Sequence, residues 1–177
     1  MDPLSHYMFA WLIGRRLRLA DGFLKSFLVL ALLPDFDVAS VIFGLQVARD
    51  FHGTVTHSIF IALPLGILAS IILARILRVG TLPALKYGGL AVATHLLLDV
   101  FNLGIYLNKG QFLWPIYQNT LFLRSVLNIP FQLSLVIYLT ILLSLVIAAL
   151  YFWRKKDPPW GVWFEACLLY TSPSPRD

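Results

Sequence analysis

Charge is what this chain has least of. Asp, Glu, Lys and Arg make up 13% of its 177 residues, against 59% hydrophobic residues and a mean hydropathy of +0.78. Water-soluble domains carry roughly a quarter charged residues, and a core of this size does not hide so much apolar surface from water. A polytopic membrane protein is therefore the expected class. Cysteine is almost missing: Cys167 stands alone, which excludes an intramolecular disulfide and a Cys-rich zinc site. The net charge is +5, but the basic residues do not cluster into a nucleic-acid stripe. Nucleic acid is thus not expected as substrate or partner. The N-terminus, MDPLSHYMF, is acidic rather than basic and lacks a small-residue cleavage site after a short apolar run, so no cleavable signal peptide is expected.

Apolar runs are what the chain has in abundance. Crossing the hydrocarbon core takes about 20 apolar residues at about 1.5 Å each. Residues 58–77, with Pro64 tolerable near the start, and residues 131–153, which carry no charge, both meet that requirement. Residues 84–107 are long enough but contain His95 and Asp99. Residues 3–17 read as a first helix. Residues 23–33 are too short to span, are stopped by PDFD at 34–37, and are followed by a second apolar run at 38–47. Together these two runs make one broken span, whose irregular backbone survives at membrane depth only where protein or a wet cavity covers it. The expected fold is all-α: a polytopic transmembrane helical bundle of about four to five membrane helices, one broken near Pro34.

Residues 1–156 form a single membrane domain in this reading, and 157–166 a short polar and aromatic tail. Residues 167–177, CLLYTSPSPRD, break in composition with everything before them and resemble the translated read-through of a sequencing-library adapter. They are set aside from the fold, as a fusion scar would be. Basic residues set the expected orientation. Placing Arg15, Arg16, Arg18 and Lys25, then Arg75, Arg78 and Lys86, then Arg154, Lys155 and Lys156 in the cytoplasm puts ten of the fourteen inside. Arg49, Lys109 and Arg124 then fall outside. On this assignment the protein is a multi-pass protein of the inner (cytoplasmic) membrane, with His6, His52 and His57 toward the non-cytoplasmic side.

Four histidines occur, His6, His52, His57 and His95, and each lies beside or within an apolar segment. His95 and Asp99, in ATHLLLDVF, are four apart, which on a helix places both side chains on one face. Asp35 and Asp37, in LLPDFDVAS, are two apart in a segment broken by proline. Neutral imidazole and ionised carboxylate are the ligand set of zinc, manganese or iron hydrolytic sites. Each residue also has a plain structural reading. His95 can pack helices, Asp99 can relay protons, Asp35 and Asp37 can cap a helix, and His52 can sit in an interfacial loop. Seven such residues at apolar borders need seven separate explanations, whereas a shared metal site needs one. The aromatic stretch FLWPIY, 112–117, reads as an interfacial belt through Trp114 and Tyr117, with the lining of a lipid-substrate pocket as the sharper alternative. Ser134, Thr140 and Ser144, in the 131–153 anchor, are expected to back-bond or pack.

MDPLSHYMFAWLIG, LALLPDFD, FHGTVTHSIF, THLLLDVFN and GQFLWP stand in the order and spacing of the YdjM/YbcI-like family of bacterial inner-membrane, metal-dependent hydrolases, which the chain resembles over about residues 1–115. That family is itself distantly similar to zinc-dependent phospholipase C and the S1/P1-type nucleases. The resemblance implies a helical membrane protein with a His/Asp metal centre formed by His6, Asp35, Asp37, His52, His57, His95 and Asp99. Where the family often reads H-R-G-x-T-H-S, this chain has HGTVTHS, without the arginine. Arg49 is the alternative cation nearby.

The expected activity is hydrolysis of a phosphoester, lipid or lipid-linked, by water activated on one or more divalent ions, zinc first, with manganese or iron as alternatives. Asp35, Asp37 and His57 are the expected catalytic groups. Asp35 or Asp37, whichever is not a tight ligand, orients the water, while Thr56 and Ser58 hold His57 in its tautomer. The expected partners are membrane lipid and the lipid phosphate. Two rivals come from other classes. An ion- or proton-coupled transporter would use intramembrane His95 and Asp99 and the broken helix, but the chain has no visible internal repeat. A non-catalytic adaptor with a structural metal would need more docking surface than the short cytoplasmic loops provide.

Overall fold

A computed structural model of the chain describes residues 2–100, 112–116, 130–155 and 157–164, the side chains of Arg49 and Phe131 excepted. Among these residues all regular structure is helical. Helix α1, Pro3–Arg16, starts where its sequence says it should: Asp2 Oδ1 accepts from the Ser5 amide at 2.9 Å, and Pro3 takes the first helical position. It ends in a left-handed residue, Arg18 at φ 55°, with the Leu19 amide donating back to the Gly14 carbonyl at 3.1 Å. Glycine is the usual occupant of that position, so arginine here accepts backbone strain. The same closure ends α4, Ile59–Ile76, where Arg78 sits at φ 53° and Val79 donates to the Ala74 carbonyl at 2.9 Å.

Helix α2, Asp21–Ala31, runs into Pro34 and continues as a 3-10 segment, Leu33–Phe43, bent 50° from it. Runs of 3-10 this long are uncommon. The break expected near Pro34 is therefore present, and it positions both Asp35 and Asp37. Gly44, at φ 122°, turns the chain into the short α3, Leu45–Phe51, and a 3-10 turn, Val55–His57, leads into α4. Helix α5, Thr81–Val100, packs along α4, and α6, Phe131–Arg154, lies at the periphery.

Two close approaches draw these helices together. On α4 the buried residues Ala62, Gly66, Ser70 and Ala74 recur every four positions. A Cβ on Gly66 would sit 2.6 Å from Val92 Cγ2, and one on Gly88 would sit 1.8 Å from Ser70 Oγ and 3.0 Å from Leu30 Cδ1. In lipid, where apolar surface gains nothing from leaving its surroundings, small residues that let backbones touch supply the packing energy. The main core lies beside this seam, with Trp11, Leu24, Phe27, Leu28, Leu30 and Ala91 fully buried.

By length and composition, two described helices can cross a membrane, α4 and α6, or three if the bent pair counts as one span. The expected count of about four to five is approximate against this. Helix α1 has only 14 residues, and Lys86, two adjacent glycines, His95 and Asp99 dilute the apolar content of α5. The 84–107 run is helical to Val100, and 101–107 lie outside the described residues. Thr140 and Ser144 do back-bond within α6, to the Val136 and Thr140 carbonyls at 2.8 Å each.

The stretch expected to be a tail, as far as it is described, folds back onto α1. Asp157 pairs with Arg15, the Tyr7 hydroxyl donates to the Pro159 carbonyl at 2.8 Å, Trp163 Nε1 donates to Tyr7 at 2.8 Å, and Val162 is buried in the main core. Both residues 165–166 and the adapter-like 167–177 lie outside the described residues.

A candidate metal centre at the end of the bundle

Four chain segments meet where α2 ends. On α5, His95 Nε2 lies 3.1 Å from Asp99 Oδ2, one turn away, as their spacing requires. His95 Nδ1 is 2.7 Å from the carbonyl oxygen of Ala31, the last residue of α2. A carbonyl can only accept, so Nδ1 carries the hydrogen and Nε2 keeps its lone pair. The carbonyl itself is one of those a helix end leaves without an intrahelical partner. From α1, His6 stacks on His95 with ring centroids 3.6 Å apart and an interplanar angle of 13°. His6 Nε2 lies 3.2 Å from Asp99 Oδ1 and 4.0 Å from Asp35 Oδ2.

The turn before α4 adds His57. Its Nε2 lies 3.3 Å from His95 Nε2, 3.4 Å from Asp35 Oδ1 and 3.5 Å from Asp99 Oδ2. Behind it stands Asp37. Asp37 Oδ1 meets His52 Nδ1 at 2.8 Å, while Oδ2 accepts from Thr56 Oγ1 at 2.5 Å and lies 3.5 Å from His57 Nδ1. Thr56 Oγ1 is also 3.1 Å from His57 Nδ1. A carboxylate on Nδ1 turns the imidazole's Nε2 outward and raises its basicity.

Burial at the centre is near complete, and that decides what the cluster needs. Asp35 is 5% exposed, yet neither of its oxygens has a hydrogen-bond partner, and the same holds for both ring nitrogens of His6. Burying a carboxylate without a donor costs several kcal/mol. Three imidazole Nε2 atoms, of His57, His95 and His6, lie at 3.4, 3.6 and 4.0 Å from Asp35 oxygens. Such a buried carboxylate can be compensated by a cation or by a proton, and the donor set is one that zinc, manganese or iron accepts. Two groups have ligand atoms mutually within 4.8 Å: His6, His95 and Asp99, and Asp35, His52 and His57. With a proton instead of a cation, His57 is the group that holds it. Burial alone would push its imidazole down, but the facing Asp35 and Asp37 carboxylates and the charge of Asp99 hold it up to about 9.

The seven residues singled out from the sequence all lie in this one cluster. Two of the expected residues have other neighbours as well. Asp37 stands outside both three-residue groups, its oxygens facing His52 Nδ1 and His57 Nδ1. Ser58 adjoins His57 in the chain. It caps α4, accepting from the Phe60 amide at 3.2 Å, and donates to the Trp114 carbonyl. That contact also gives the 112–116 stretch a task beyond an aromatic belt: with the Phe112 carbonyl accepting from the Ile59 amide at 3.0 Å, it ties down the start of α4 beside His57. Tyr117 and the side chain of Arg49 lie outside what is described. The participant that sequence reasoning missed is the Ala31 carbonyl, a backbone atom with no side-chain signal.

The family model described as YdjM inner membrane protein matches residues 1–172. No curated protein and no solved structure matches.

Proposed function

We propose, on the premise that the chain belongs to the YdjM inner membrane protein family, that it is a metal-dependent hydrolase of a phosphoester carried by a membrane lipid. The observation that carries this reading is the buried Asp35 carboxylate without a donor, faced by three imidazole Nε2 atoms. His6, His95 and Asp99 would hold the cation, a three-ligand set of the kind that leaves a coordination position open for water. A divalent ion held there would supply a water of near-neutral pKa and a Lewis acid for the ester oxygen. Asp35 and His57 face that group. Their role is to orient the attacking water and take its proton, at an Asp35 oxygen or at His57 Nε2, unless the second group of Asp35, His52 and His57 holds an ion of its own. Asp37 and Thr56 keep His52 and His57 aimed by occupying their Nδ1 side.

Orientation follows the same reading. Arg15 and Arg16 end α1, Arg75 ends α4, Arg154 ends α6, and Lys86 opens α5, all at helix ends remote from the cluster. The basic end is proposed to be cytoplasmic, which turns the site to the other side. The test is metal content by mass spectrometry on detergent-purified protein, wild type beside His57→Ala and Asp99→Ala. About one equivalent of zinc or manganese, lost with Asp99→Ala, supports a single ion; two equivalents assign an ion to each group. A phosphoester screen on the loaded protein follows. Wild-type protein without tightly bound metal would sink the hydrolase reading and favour a coupling-ion site.

A further inference from the structure

Between the 3-10 segment Leu33–Phe43 and α4 runs a cleft of about 290 Å³, lined by Leu33, Pro34, Phe36, Ala62 and Leu65, with Asp37 and Thr56 as its polar residues. Both polar residues touch His57. The cleft therefore leads from an apolar mouth to the wall of the metal cluster. What lies outside the mouth can be read from its rim. Phe36 is 58% exposed and Leu65 is 44% exposed. Leu65 heads a line of exposed residues, Leu65, Leu68, Ile72 and Ile76, spaced three or four apart down one face of α4. That helix is one of the two long and apolar enough to cross a membrane. Farther along the 3-10 segment and at the start of α3, Ile42, Phe43 and Leu45 are exposed as well. A soluble protein does not present so much contiguous apolar surface to water, so the medium on both sides of the mouth is hydrocarbon.

We propose that this cleft holds an acyl chain of a bilayer phospholipid, which enters sideways from the membrane and brings its headgroup to the cluster past Asp37 and Thr56. A cleft of about 290 Å³ has room for the headgroup-proximal part of one chain. The inference rests on the hydrolase reading only for what then happens to the headgroup. The occupancy itself is tested without turnover. Protein is reconstituted into phosphatidylethanolamine vesicles doped with a phosphatidylglycerol whose acyl chain carries a diazirine, irradiated, and mapped by peptide mass spectrometry. Adducts should concentrate several-fold on residues 33–37 and 62–65 relative to Leu68, Ile76 and the outer face of α6. Leu65→Trp, which fills the mouth, should remove most of that enrichment, whereas Ile72→Trp, farther down the same stripe, should not. Uniform labelling, or enrichment indifferent to Leu65→Trp, overturns the proposal. Cleft labelling without phosphoester turnover upholds the lipid site and removes the hydrolase reading. Equal turnover of dibutyryl and long-chain substrates with an unlabelled cleft does the reverse.

Discussion

Asp37 gives one oxygen to His52 and the other to Thr56 and His57, so replacing it separates holding a ligand from being one. Asp37→Asn should weaken metal affinity by about 10- to 100-fold while a full complement still binds at saturating metal; a chelating-dye competition reads both quantities. Loss of stoichiometry as complete as in Asp99→Ala would make Asp37 a ligand after all. His57 gives a pH signature. Its folded pKa, about 9, stands above the ordinary imidazole value of 6.5. In the metal-free protein the charged ring therefore stabilises the fold fully below about 6.5, and that contribution is lost as pH rises through about 9. Metal binding at the Asp35, His52 and His57 group would run the opposite way, because an ion there must displace the proton. Affinity should climb by up to about ten-fold per pH unit toward pH 9, and calorimetry at pH 7.5 in buffers of different ionisation enthalpy should show about one proton released per His57 engaged. At this scale the sequence is readable because imidazoles and carboxylates are costly among apolar residues, so each one invites a partner. Which carboxylate faces the ion is not readable. Asp35 and Asp37 differ only in which way a bent 3-10 backbone turns them.

At the scale of the element, the α4–α5 seam sets how far His57 stands from His95. Gly88→Ala should cost about 1–3 kcal/mol by overpacking, since its new Cβ displaces Ser70 Oγ from the Gly66 carbonyl it bonds at 2.6 Å. Gly89→Ala meets nothing within 4 Å and should be neutral or gain up to about 1 kcal/mol from helix propensity. Thermal unfolding of the two variants in detergent makes the comparison. The seam was written in the sequence at a spacing of four, but hydropathy is blind to it: an α4 that is apolar all round has no polar face to mark its orientation, and only side-chain size alternates. The ends and the break fared better, because Asp2–Pro3, Pro34 and the charge-free 131–153 run act through local sterics. The fold-back of 157–164 depends on Tyr7, Arg15 and the main core, contacts about 140 to 150 residues away in sequence, which no local pattern announces.

For the molecule as a whole, the cluster ties α1, the bend after α2, the turn before α4 and the end of α5 to one point. Excess chelator should accordingly lower the unfolding temperature of metal-loaded wild type, and added zinc should restore it. A ligand at a thousand times its Kd contributes about 4 kcal/mol. Asp99→Ala should show no chelator response, and a wild type equally indifferent would deny the ion any structural share. The same knot has a consequence for biogenesis. His6 leaves the ribosome 93 residues ahead of Asp99, an interval of roughly 5 to 20 s at ordinary synthesis rates. Throughout that wait His6, Asp35 and Asp37 have no α5 to receive them, and the cluster can close only when α5 has been made. Assembly of this site is then a delayed, collective event, completed only once residues far apart in the order of synthesis are all present.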